Sequence, residues 1–126
     1  ELTMKKLVVL GMLAVVAAGC GGTPGYLNTD VLEPEGFTLA SATGVKFQGM
    51  MFSEGTLNYH GTGDVQKTYI AYVDAMRGSG WAPVASDGDP TKGMSAKLAK
   101  DTRILNLEIQ PEAQGATRVT IKVGSK

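Results

Sequence analysis

Cysteine, histidine and tryptophan each occur once in the 126 residues, and basic and acidic residues balance at 12 each. A single thiol cannot close an internal disulfide, so the folded part must hold by packing. One histidine with no second thiol leaves no set of ligands at the spacing a metal site needs. With no surplus of Lys and Arg, nothing in the composition neutralises a row of phosphates, and nucleic acid is excluded as an expected partner. Nor does any apolar run reach the roughly 20 residues that cross a bilayer as a helix.

The longest apolar run, Leu7 to Ala18, follows Lys5 and Lys6 and ends in Ala17-Ala18-Gly19-Cys20. A basic start, an apolar centre and small residues at the end form the layout of a secretory signal, with Met4 as the expected start and residues 1–19 as the cleaved part. Ala17-Ala18-Gly19-Cys20 resembles the lipobox of bacterial lipoproteins, with Ala17 standing where leucine is commonest. The resemblance implies cleavage between Gly19 and Cys20, a diacylglyceryl group on the Cys20 thiol, and acylation of the new amino group, by palmitate for example. Two or three chains, each gaining about 0.8 kcal/mol per buried CH₂, hold a membrane durably where one does not. Gly21, in place of an aspartate, implies sorting to the periplasmic side of the outer membrane if the source is Gram-negative.

GGTPGYLNTDVLEPEG, residues 21–36, mixes glycine, proline and acidic residues without an apolar period, which predicts a flexible tether over 20–36. The single globular domain is expected over 37–126, enough for one core. Val45 and Phe47 alternate with polar residues, Gly49 interrupts them, Ser53-Glu54-Gly55 has turn composition, and Thr56 to Tyr59 alternates again: a hairpin with a bulge. Asp64 can cap a helix whose apolar stripe is Val65, Tyr69, Tyr72, Val73 and Met76, ended by Gly78 and Gly80. Trp81, Ala82 and Val84 start a short strand that Pro83 confines to an edge, and residues 86–93 read as a surface loop. Alternation returns at Met94–Leu98, Leu105–Ile109 and Val119–Val123, with turns at Lys100-Asp101 and over 111–115. The expected fold is α+β, one helix packed on an antiparallel sheet of about five strands, β-β-α-β-β-β, in a two-layer sandwich. Residues 57–123, with a helix ending in Gly80-Trp81, also resemble small bacterial envelope lipoproteins of unassigned function, and that likeness implies no active residues.

Chemistry-bearing residues are few. His60 stands alone at a strand end. Asp87 and Asp89 have the spacing that opens a calcium loop, but Pro90 and Lys92 occupy the next alternate positions and no closing glutamate follows. GTGD at 61–64 opens a helix where backbone N–H groups could hold an anion, a place Asp64 itself fills. A triad could be sought in Ser53 with His60 and Asp64, but these are also the residues of turns and caps. No catalytic, metal or cofactor site is expected. The expected role is a membrane-anchored envelope lipoprotein presenting a small non-catalytic interaction domain to an envelope protein or cell-wall partner. Small-ligand or cell-wall binding is the alternative, with Tyr59, Tyr69, Tyr72 and Trp81 as its only aromatic candidates, and an enzyme the third possibility. A domain beginning at Gly36 is expected to be soluble and monomeric, because Asn106, Glu108, Arg118, Thr120 and Lys122 make the face away from the helix polar.

Overall fold

Period-two alternation marks the central strands. In the computed structural model, which describes residues 29–126, the elements are β1 (Thr38–Gln48), β2 (Met51–Gly61), α1 (Val65–Gly78), β3 (Ala82–Asp89), β4 (Gly93–Lys100), β5 (Arg103–Pro111), a 3-10 turn (Ala113–Gly115) and β6 (Thr117–Ser125). The signal-like segment and Cys20 lie outside the described residues. The strands form one antiparallel, unclosed sheet in the order β1-β2-β6-β5-β4-β3, so the fold is α+β with six strands rather than about five.

Leu57 and Tyr59, Val119, Ile121 and Val123, Leu105, Leu107 and Ile109, and Ala96 and Leu98 are buried, while the residues between them face outward. Leu107 pairs with Ile121 and Ile121 with Leu57, so one row of apolar side chains crosses three strands on one face. Asn106, Glu108, Arg118, Thr120 and Lys122 occupy the intervening positions, as their alternation predicts.

Helix α1 starts where Asp64 Oδ2 accepts the Lys67 amide at 2.9 Å. Val65, Tyr72 and Met76 are buried in the core and Tyr69 and Val73 pack against it, the five residues of the predicted stripe. Its end is a Schellman turn: Trp81 N–H donates to Met76 O and Gly80 N–H to Arg77 O, with Gly80 at φ +96. The turn explains the Gly-Trp pair. Glycine supplies the left-handed residue, and the backbone reversal drops Trp81 into the core beside the helix.

Two strand boundaries differ from expectation. The β1–β2 turn is Gly49-Met50, whereas Ser53-Glu54-Gly55 lies inside β2. Gly55 is there because its backbone (φ +150) comes so near Phe52 and Val45 that a Cβ would sit 3.0 Å from either. The sixth strand, β3, occupies residues expected as a short start and a surface loop. Its composition is that of a turn because it is an edge, exposed along nearly its whole length, with a register shift after Pro83.

The largest difference precedes β1. Residues 30–37, expected as the end of a flexible tether and the first residue of the domain, form a strap packed into the core: Val31 is fully buried, Pro34 is buried, and Leu32 and Phe37 pack against the core. The packed unit therefore begins at least seven residues before Phe37. A domain cut at Gly36 would lack the strap and bare the apolar surface beneath it.

Candidate functional site

Among the described residues, the densest group of charges with defined partners is the fastening of this strap. Asp30 receives Arg103 in a two-point pair, Nη1 to Oδ1 at 3.0 Å and Nη2 to Oδ2 at 2.6 Å, and Lys100 Nζ reaches Oδ2 at 2.7 Å. Arg103 opens β5 on the core face, where its side chain is almost wholly buried; Nη1 also donates to Phe52 O, and the guanidinium lies over the Trp81 ring at 4.9 Å. The Trp81 indole N–H donates to Asp30 O at 2.9 Å, and Lys100 Nζ donates to Ser79 O at the end of α1. Burial opposes ionisation of Asp30, but the hydrogen bonds from Arg103 and Lys100 outweigh it and hold the carboxyl down at about 2. Further along, Tyr72 Oη donates to Leu32 O at 2.7 Å. Burial raises the Glu33 carboxyl, against a smaller lowering by Tyr59, and burial with Tyr59 and Glu33 nearby raises Tyr72.

No feature of the sequence marks this group. Asp30 and Arg103 are far apart in the chain, and the only local signal is the apolar pair Val31-Leu32 amid acidic and turn-forming residues.

The residues singled out for chemistry are held separately. Ser53 Oγ donates to Lys46 O, His60 Nδ1 lies 3.4 Å from Glu112 Oε1, and Asp64 caps α1. Ser53 and His60 stand seven residues apart on one strand, about 23 Å at the rise of extended chain, so they cannot share a triad. Asp87 accepts from Gly88 N, and Asp89 Oδ1 accepts from Thr91 N, Thr91 Oγ1 and Lys92 N, the bonds of a turn. Those bonds, led by the Thr91 hydroxyl, lower the Asp89 carboxyl. Of the aromatic candidates, Tyr59, Tyr72 and Trp81 lie in the core and Tyr69 packs against it, so they do not line an open site. Gly19 and Cys20 lie outside the described residues.

Two depressions mark the polar face. The larger, about 570 Å³, is lined by Thr43, Glu54, Thr56, Lys122 and Ser125 over Gly124; the smaller, about 250 Å³, by Ser86, Asp87, Ser95, Lys97, Asn106 and Glu108. The larger mixes polar and apolar surface, the smaller also exposes Ala85, Ala96 and Leu107, and neither has an aromatic floor. No known protein family matches the chain, and no curated protein matches it.

Proposed function

We propose that this chain is an envelope lipoprotein, anchored to a membrane through a lipidated Cys20, that presents a small non-catalytic interaction domain, from the periplasmic side of the outer membrane if the source is Gram-negative. The observation that carries it is the run Lys5-Lys6, Leu7 to Ala18, Gly19-Cys20. The non-catalytic part draws support from the separate structural bonds of Ser53, His60, Asp64 and Asp89. In this reading α1 and the strap form one layer and the sheet the other, an arrangement supported by the alternating burial of the strands. A partner would meet the polar face of β2, β6 and β5, where Thr120 Oγ1 donates to Asn58 and Arg118 to Gln110.

A second reading, binding of a small polar ligand such as a cell-wall fragment, is favoured by the depression of about 570 Å³ beside Glu54 and Lys122. A thermal-shift series with muropeptides separates the two: a rise in melting temperature that Lys122→Ala removes supports the ligand reading.

The anchor is tested by mass spectrometry of the mature N-terminus from purified membranes. A diacylglyceryl mass on Cys20 is expected, and Cys20→Ser should release the protein to the soluble fraction. An unmodified Cys20 would overturn the reading.

A further inference from the structure

The two ends of the sheet carry different loops. Where the strap enters, the β1–β2 turn, the end of α1 and the β4–β5 turn converge: Arg103 joins Asp30 to Phe52 O, Lys100 joins Asp30 to Ser79 O, and Lys126 N–H donates to Thr102 O. This end carries Arg77, Lys100, Arg103 and Lys126 against Asp30 and Asp101. The far loops, joining β2 to α1, β3 to β4 and β5 to β6, carry Asp64, Asp89 and Glu112 against Lys92. The entry end also has an apolar tip: Met50, in the turn beyond the last ladder pair Gln48↔Met51, is 81% exposed, and Phe47 beside it is 40% exposed.

We propose that this end is a lipid-contacting surface, with Met50 entering the interface of an anionic bilayer and Arg77 and Lys126 facing the headgroups. The inference rests on the reading of Cys20 as lipid-bearing. Ten peptide steps join Cys20 to Asp30, a span of at most about 35 Å of extended chain, so the anchor holds the strap's entry within that distance of the membrane. The far loops stand roughly 30 Å further along the strands. Of the two ends, the cationic one with the apolar tip is the one nearer the anchor along the chain, and an apolar side chain with flanking cations adds the affinity for anionic lipid that favours this end at the surface.

The test uses the full lipidated protein in vesicles of phosphatidylethanolamine and phosphatidylglycerol. Because the lipid occupies Cys20, Met50→Cys offers one reactive thiol for an environment-sensitive fluorophore, and Ala113→Cys, exposed in the far β5–β6 connection, gives the comparison. At position 50 a blue-shifted emission, severalfold stronger quenching by nitroxide-bearing lipid than at position 113, and weakening of that contrast by salt are expected. Equal quenching of both positions by aqueous iodide, or shielding of position 50 only when envelope protein is added, would overturn the inference. Mass spectrometry of the same sample separates the failures. An unlipidated Cys20 overturns both readings, whereas a lipidated chain with position 50 in water overturns this one and leaves the anchor standing.

Discussion

Two pieces of chain share the core with the buried residues of the strands, and they are held in opposite ways. Helix α1 is regular and closed at both ends by its own residues, Asp64 at the start and the Gly80-Trp81 reversal at the finish. Its contribution is spread over Val65, Tyr69, Tyr72, Val73 and Met76, five residues on successive turns of one face. The strap has no internal ladder. It is held by Val31 in the core and by a few fastenings to distant residues: Arg103 and Lys100 on the Asp30 carboxylate, Trp81 on the Asp30 carbonyl, Tyr72 on the Leu32 carbonyl. A regular element distributes its stability, whereas an irregular one concentrates it, and the strap should fail at single residues where the helix does not.

The strongest way to break the comparison is to remove the strap. A chain beginning at Gly36 loses the burial of Val31 and leaves Arg103 buried without its carboxylate; at about 1.5–3 kcal/mol for the first and about 3–5 for the second, the loss rivals the whole stability of a small domain. Such a chain should bind an apolar dye and unfold without a sharp transition, while one beginning at Thr29 should unfold cooperatively in denaturant. Equal midpoints would mean that the strap is an ornament of the fold.

Tyr72 is where the two pieces meet, buried on α1 with its hydroxyl on Leu32. Tyr72→Asp should cost several kcal/mol, because it places a charge in the core and removes the strap's middle fastening, whereas Lys67→Asp on the exposed side should shift the denaturant midpoint by less than about 0.5 kcal/mol. Similar midpoints for the two variants would put the helix's buried face elsewhere.

The smallest effect sharpens the contrast through pH. The Asp30 carboxyl is held at about 2, below its ordinary 3.8. Between these values the unfolded chain takes up the proton first, so the stabilisation is full above about pH 4 and is lost as pH falls through about 2. Asp30→Asn should lower stability by about 2 kcal/mol at neutral pH, the buried-pair cost reduced by the partial exposure of Asp30. It should also flatten the acid slope of melting temperature. A variant with the native slope would assign acid sensitivity to other carboxylates.

What the sequence discloses follows the same division. The stripe of α1 and the alternation of β4, β5 and β6 are legible because each repeats a period over several residues, and the interval between Leu105 and Ile109 already states which side is buried. Strand β3 is illegible for a physical reason: an edge exposed on both faces has no alternation to show, and Ser86, Asp87 and Gly88 sit in it as readily as in a loop. Gly55 misleads because glycine serves a turn and a close backbone approach equally well. The strap is hidden because its pairing with Arg103 crosses most of the domain and leaves one apolar pair as its local trace. For the candidate site, Ser53, His60, Asp64, Asp87 and Asp89 are the residues chemistry would use, and turns, caps and strand ends use them too. Nothing in their spacing foretold the cluster at Asp30.

The order of the strap's fastenings has a mechanical consequence. Tension arriving along the chain from residue 28 loads Asp30 before Val31 or Leu32, so the two-point grip of Arg103 and the hold of Lys100 must give way before any apolar contact is strained. The ionic group acts as a cleat at the point of entry. A pull on the strap from its N-terminal side is taken up there, and the apolar contacts behind it carry no load until the cleat lets go.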